Sequence, residues 1–334
     1  MIRGDMDALP FKEEADVDFA SETCNMHACG HVMHTAMMLG AARLLKTHED
    51  DIEGTVKLMF QPSEETFEGS HDMIQAGGLE NPKVDGALMI HVMAGMPFPA
   101  GTVIVTDGGT SAPGADYFTI NVKGKGCHGS MPNAGVDPIN IAAHIVTALQ
   151  EINSRELALV DEAVLTIGKI AGGKAGNAIA DTVEMVGTIR TYDEEVRAFV
   201  KRRLEEISSG IAAAFRGSAS VEWGSGCPCL INDKEVSKSV AKYMQELLGP
   251  GKSFTTGQLA AMSEGKANKS AGSEDFAYIS QEVPSVMIAL AAGEPAKGYK
   301  YPQHHPMVKF DEAALASGSA VYAYAATRWL EEHR

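Results

Sequence analysis

The stretch "TVKLMFQPSEE", residues 55–65, begins as an apolar run of strand length and ends in two adjacent carboxylates, Glu64 and Glu65. A second run, "VDGALMIHV" (84–92), ends the same way in a lone histidine, His91. Upstream, "HTAMMLGAARLLKT" (34–47) sets Ala36, Met37, Leu39, Gly40, Ala41, Leu44 and Leu45 at the spacing of a helix buried over a wide face. A helical stretch is expected between the two strands as well, and that alternation reads as an α/β domain with a mostly parallel sheet. Ligands gather at the carboxyl ends of strands in such sheets, so polar residues that directly follow apolar strands are candidate site residues.

Further along the chain the pattern changes. "YFTINVK" (117–123) alternates, with Phe118, Ile120 and Val122 on one face, as in a strand covered on one side. A helix opens at Asp137-Pro138, a good N-cap followed by proline at the first helical position, and runs to about Ser154. Strands at 163–170 and 182–192, a helix from Asp193 to Phe215 and a strand at 218–223 complete a β-α-β-β-α-β order, the split arrangement of a ferredoxin-like module. The expected division is a discontinuous catalytic domain, 1–112 and 219–334, around an inserted α+β domain at 113–218. Beyond it a helix follows Asn232-Asp233, "SVMIALAAG" (285–293) reads as a strand, and a long helix starts at Asp311.

Of 334 residues, 45% are hydrophobic and 22% charged, enough chain for a sizeable core. Lys and Arg number 28 against 44 Asp and Glu, and the resulting charge of -16 disfavours nucleic acid and anionic membrane surfaces as partners. No apolar run approaches the roughly 18 residues of a membrane span, and "MIRGDMDALP" lacks the basic segment and apolar core of a secretory signal, so a cytoplasmic address is expected. Five cysteines are a poor match to a disulfide framework and a better one to thiols or metal ligands.

"CNMHACGHVMHT" (24–35) concentrates that chemistry. Side chains at i and i+2 share a side only in extended chain, so Cys29 and His31 suit a strand-end loop gripping a metal. His34 is expected to begin the following helix, and Cys24 and His27 have no assigned task. His304 and His305 sit in a proline-flanked loop, "YPQHHPMVKF", which also reads as a plain surface turn, just as His91 also reads as a satisfied core histidine. Together, one thiolate, several imidazoles and a carboxylate exceed what one tetrahedral ion needs and suggest two metals sharing a water. One of the paired glutamates can then coordinate while the other stays free as a general base.

"RGDMDALP", "MHACGH..HTAMMLGAA", "FQPSEE", "HV", "GCHGSMPNAGVDPI", "GNAIAD", "GTIRTYD", "SEDFAYIS" and "HHP" follow one another in an order that resembles the M20 amidohydrolases, in the branch of aminoacylase, hippurate hydrolase and indole-acetyl-amino-acid hydrolase. The resemblance covers essentially the whole chain. It implies an aminopeptidase-like α/β catalytic domain holding two divalent ions, with manganese or zinc foremost and cobalt or nickel compatible. It also implies a ferredoxin-like lid through which a homodimer forms, and hydrolysis of the amide bond of N-acyl amino acids. Carried over by residue, it makes Cys29, His31, Glu65, His91 and His304 metal ligands, Glu64 the base, and Asp7 the carboxylate that orients a ligand histidine. His128 would stabilise the oxyanion from the partner subunit, and Asn177 and Arg190 would lie near the substrate. An arginine fork suits a substrate carboxylate, although a cross-strand salt bridge would explain Arg190 equally well.

The sequence departs from the family in places. Val32 follows His31 where relatives usually carry aspartate, which predicts a carboxylate missing beside the metals, and Asn133 stands where many have histidine. Relatives also carry several tens of residues ahead of "RGDMDALP", so the chain is expected to be a fragment. A dinuclear dipeptidase and a non-catalytic remnant are the alternatives; the Cys-x-His pair argues against the first and retention of Glu64 against the second. "GKGCHGS" and "GGKAGNA" lack the spacing of a phosphate-binding loop, and Cys227 and Cys229 are read as packing or adventitious thiols.

Overall fold

The computed structural model describes residues 1–263 and 270–333. The chain forms two compact units, Met1–Ser111 with Leu230–Ser270 and Glu274–Arg334, and Ala112–Cys229 with Ala271–Ser273. The first unit begins with β1 (Ile2–Asp5), α1 (His31–Thr47), β2 (Leu58–Gln61), α2 (Gly69–Gln75), β3 (Ala87–Met93), β4 (Val103–Val105) and β5 (Gly109–Ala112). The second unit follows with β6 (Gly114–Lys123), β7 (Cys127–His128), α3 (Pro138–Glu151), β8 (Ala163–Gly172), β9 (Ala178–Ile179), β10 (Thr182–Thr191), α4 (Glu194–Ala214) and β11 (Ser218–Cys227). The chain then returns to the first unit as β12 (Leu230–Asn232), α5 (Lys234–Leu248), β13 (Ser253–Thr255), α6 (Thr256–Met262), α7 (Phe276–Glu282), β14 (Ser285–Ala291) and α8 (Ala314–Glu332).

The first unit is built on a six-stranded sheet in the order β13-β4-β14-β3-β1-β2. Every neighbouring pair is parallel except β14 with β4. Its strands are buried on both faces and read as near-continuous apolar runs, as in β3, where Leu88, Met89, Ile90 and Val92 are all buried. Helices α1, α5 and α8 cover one face and share a core of Met37, Ala41, Val240, Tyr243, Val321 and Tyr322. Small residues let α1 and α8 approach closely: a Cβ on Gly318 would lie 1.9 Å from Met37 Sδ, and one on Gly40 would lie 2.3 Å from Ser319 Oγ. Among the described residues no helix is long and apolar enough to cross a membrane.

The second unit is a four-stranded antiparallel sheet, β11-β6-β10-β8, with α3 and α4 packed on one face over Phe118, Ile120, Val122, Ile145 and Leu204. Asp137 and Asp193 cap the two helices, each accepting two backbone N–H bonds. The expected boundary near residue 218 is corrected to Cys229, because β11 runs its full length against β6 and leaves this sheet only at Cys227. Two helix starts also shift. α1 begins at His31 rather than His34, and the last helix begins at Ala314, with Asp311 Oδ1 accepting the Ala313 N–H ahead of it.

Candidate metal centre

The carboxyl ends of β1, β2 and β3 deliver the polar residues to one place. Past β1, Asp7 accepts from His31 Nδ1 at 3.0 Å through one oxygen and from the Glu65 amide at 2.9 Å through the other. Past β2, the chain turns through Ser63 and Phe67, both with positive φ (57° and 59°), and carries Glu64 and Glu65 back over the strand ends. The turn has no room for a side chain at Gly69, whose Cβ would lie 1.7 Å from the Pro62 carbonyl oxygen. On β3, His91 Nδ1 donates to the Val92 carbonyl at 2.7 Å, which leaves the Nε2 lone pair to accept from Cys29 Sγ at 3.5 Å.

Cys29 and His31 are brought together differently from the expectation. Their shared side does not come from extended chain: Gly30 is left-handed (φ 92°) and caps α1, and His31 is the first helical residue. The Cys29, His31, Glu65, His91 and His304 side chains nevertheless converge. Donor atoms of Cys29, His31 and His91 lie within 4.8 Å of one another, and so do those of Cys29, Glu65 and His304, so two three-donor sets share one sulfur. His304 reaches in from its loop, with its amide bonded to the Ala28 carbonyl at 3.0 Å and Nε2 3.3 Å from Glu65 Oε1.

Two observations fit this set to divalent ions. His31 Nε2 and Glu65 Oε1 are buried and make no hydrogen bond, with only longer ion-pair contacts such as His304 Nε2 to Glu65 Oε1 at 3.3 Å, an arrangement that a bound cation would satisfy better. The charge balance is also poor. Burial and then the nearby Glu65 and Glu64 push the Cys29 thiol far up. Burial would lower His31, but Asp7 and Asp5 outweigh it and raise it to about 9. Burial and then the His34 ring bring His91 down to about 4, a neutral imidazole fit to coordinate. A bound cation reverses the penalty on the thiolate, and a thiolate, imidazole and carboxylate set suits zinc, manganese, cobalt or nickel.

Glu64 is buried beside this cluster, its Oε1 3.3 Å from the Asp275 amide and Oε2 3.9 Å from His31 Nε2. Burial, then Glu274 and Asp275, raise its carboxyl above the usual range, as suits a group that takes up a proton.

Sequence reasoning missed the layer beneath. Arg3, Asp5, Glu274 and Asp275 are all buried, and Arg3 pairs with Asp5 at 2.8 Å, Glu274 at 3.0 Å and Asp275 at 2.6 Å. The charges themselves stand in "RGD" directly before the Asp7 motif and in "SEDF", but nothing local in the sequence marks them as buried together. His34 lies inside α1, not at its start, and both ring nitrogens are engaged: Nδ1 with Asp5 and Nε2 with the Val92 amide at 2.9 Å. Val32, which stands where relatives usually carry aspartate, is 49% exposed on the first turn of α1, directly after His31.

The remaining candidates belong to the second unit. His128 is exposed on β7, with Nδ1 receiving the Ser130 amide at 3.2 Å and Ser130 Oγ at 2.8 Å. Asn177 precedes β9, its carbonyl accepting the Gly129 amide at 2.8 Å. Arg190 on β10 lies 5.5 Å from the Tyr117 ring, and among the described residues its buried Nη1 has no hydrogen-bond partner and the cross-strand salt bridge weighed for it is not formed.

Comparison with known proteins places this arrangement. Residues 1–328 match the model of peptidase family M20/M25/M40. The chain is 36% identical over 337 residues to the N-acetyl-L-cysteine deacetylase of Bacillus subtilis, covering 99% of this chain and 74% of that one. It is 34% identical to the IAA-amino acid hydrolase ILR1-like 2 of Arabidopsis thaliana, covering 99% and 72%. Among solved structures, a dinuclear metal binding peptidase of the M20 family from Bacillus subtilis superposes with a TM-score of 0.78 at 31% identity, covering 99% of this chain and 81% of that one. With a family match over nearly its whole length and relatives above 30% identity, the chain belongs to peptidase family M20/M25/M40.

Proposed function

We propose that this protein hydrolyses the amide bond of N-acyl amino acids at a pair of divalent ions, manganese or zinc foremost, held by Cys29, His31, Glu65, His91 and His304. The observation that carries the reading is the pair of donor sets sharing Cys29, with His31 Nε2 and Glu65 Oε1 buried without a hydrogen bond and Glu64 buried alongside, where it is assigned as the base. The bound ions would supply Lewis acidity, polarising the amide carbonyl and making water acidic. Glu64 takes the proton of the attacking water and returns it to the leaving amine. Asp7 fixes the His31 tautomer so that Nε2 faces the cluster. The relatives' names, a deacetylase of N-acetylcysteine and a hydrolase of IAA-amino acids, support a substrate with an acyl group on an amino acid.

His128, Asn177 and Arg190 are assigned to the substrate on the family resemblance. The Ser130 amide aimed at His128 Nδ1 makes that nitrogen an acceptor and leaves Nε2–H to donate to an oxyanion. The unpartnered Nη1 of Arg190 suits a carboxylate. A homodimer through the second unit is supported by β8, a ten-residue edge strand with Val164 and Ile170 exposed. Five free thiols fit a reducing compartment such as the cytoplasm.

The test is amine release from a panel of N-acetyl and N-benzoyl amino acids, with dipeptides alongside, after chelation and after adding back manganese or zinc. Metal-restored turnover of N-acyl amino acids is expected, and Glu64→Ala should lower it about 10²–10⁴-fold with metal content intact. Faster turnover of dipeptides would favour the dipeptidase instead. Soluble, metal-loaded protein that releases no amine would overturn the assignment.

A further inference from the structure

The sheet of the first unit is opened from within. Between β1 and β2 the ladder runs from Ile2↔Leu58 through Asp5↔Gln61, and between β3 and β14 it continues to Met93↔Ala291. Between β1 and β3 it stops after Ile2↔Leu88 and Arg3↔Met89. At its start the Leu88 N–H donates to the Met1 carbonyl at 3.0 Å, and Arg3↔Met89 is the last pair in register. Continued by the two-residue step of a parallel ladder, the Ile90 and Val92 amides would meet the Arg3 and Asp5 carbonyls.

Side chains take those places. The Ile90 amide donates to Tyr322 Oη at 2.9 Å, and that hydroxyl donates to the Arg3 carbonyl at 2.7 Å. One step on, the Val92 amide donates to His34 Nε2 at 2.9 Å, and His34 Nδ1 donates to the Asp5 carboxylate. The displaced Asp5 carbonyl accepts instead from Thr35 Oγ1 at 2.9 Å. Both inserted side chains are fully buried, His34 coming from α1 and Tyr322 from α8. The first gap is one hydroxyl wide and the second one imidazole wide, so the strands diverge toward their carboxyl ends. His91 stands on one side of the gap and the Asp5 to Asp7 segment that holds His31 on the other, with the His34 ring 4.8 Å from His91 and 5.5 Å from His31 between centroids.

We propose that His34 and Tyr322 are positioning residues, a polar wedge that holds β1 and β3 apart and thereby sets the spacing of the two donor sets. The inference rests on the reading of the cluster as a metal centre. His34 is not a ligand in it, because the Val92 amide and Asp5 occupy both ring nitrogens. Its shape and its one donor, one acceptor pattern are what the site uses.

The test compares His34→Leu, His34→Gln and Tyr322→Phe with the wild-type chain in two measurements. Amide hydrogen exchange on metal-free protein reads the wedge itself. His34→Leu should expose the Val92 amide and Tyr322→Phe the Ile90 amide, while His34→Gln, which keeps a donor and an acceptor, retains protection at Val92. Calorimetric titration with manganese then reads the consequence: a ten- to hundredfold loss of affinity in His34→Leu and Tyr322→Phe, with His34→Gln recovering most of it. Protected Val92 and Ile90 amides in the apolar variants would mean that the strands close into an ordinary ladder, and would overturn the wedge. Exposed amides with unchanged affinity would overturn its link to the metals. A wild-type chain that takes up no metal would sink the metal reading, while the exchange data still decide the wedge.

Discussion

Arg3 is fully buried, yet its guanidinium meets Asp5, Glu274, Asp275 and the Gln61 amide oxygen, the last at 2.8 Å. One cation among three carboxylates leaves the floor of the cluster net negative, which suits cations bound above it. Removing that guanidinium would strand buried carboxylates, so Arg3→Met should cost about 3–5 kcal/mol in urea denaturation. Arg3→Lys should recover only part, because a single ammonium cannot reproduce a fork that reaches several partners. A methionine variant as stable as the wild type would show that the carboxylates are already neutral. At the cluster itself, Asp7 serves two partners with its two oxygens, so Asp7→Asn keeps one acceptor and should weaken manganese binding about ten- to a hundredfold in calorimetric titration. Unchanged affinity there would remove Asp7 from the site. The ligand types were legible because thiol, imidazole and paired carboxylate each followed an apolar strand or a glycine turn. Arg3 and Asp5 were not legible, because their burial depends on Asp275, 272 residues away from Arg3, and local sequence gives no sign of that partner.

At the scale of elements, the site depends on how β3 and α1 meet. Gly30 is left-handed, and a Cβ there would lie 2.4 Å from Val92 Cγ2 and 3.0 Å from the Phe310 ring. Gly30→Ala should therefore lose at least about 1–2 kcal/mol through its backbone alone. It should also weaken metal uptake, because Val92 is next to His91; thermal melts with and without manganese separate the two effects. Val32 gives the contrasting case. It sits half-exposed on the first turn of α1, a turn with no acidic residue, so Val32→Asp should gain about 0.3–1 kcal/mol from the helix dipole and leave turnover little changed. A ten- to hundredfold rise in turnover would instead support the idea of a carboxylate missing beside the metals. The long elements were readable from periodicity: α3 and α4 announce themselves by Asp caps, and β6 by its alternation. The short ones were not. β1 has four residues, two of them charged, and β4 and β13 have three each, too few for a period to show.

At the scale of the molecule, all five candidate ligands and Glu64 lie in the first unit, while the residues assigned to substrate lie in the second. Metal uptake and assembly should therefore be separable. The second unit presents β8 at the edge of its sheet, paired among the described residues with β10 alone, and Val164 and Ile170 are exposed along it. A long edge with apolar side chains is a template for pairing with another strand, and charges placed on it oppose that pairing. The double substitution Val164→Glu and Ile170→Glu should shift the sedimenting species from twice 35.4 kDa to 35.4 kDa, with manganese stoichiometry per chain unchanged. A wild-type chain that already sediments as a monomer, or a charged variant that stays dimeric, would exclude this edge as the interface. If His128 acts on the neighbouring subunit, as the family resemblance implies, the monomeric variant should lose turnover while keeping its metals. Mixing it with Glu64→Ala chains should not restore activity, since the charged β8 of the variant would oppose pairing with the intact β8 of those chains.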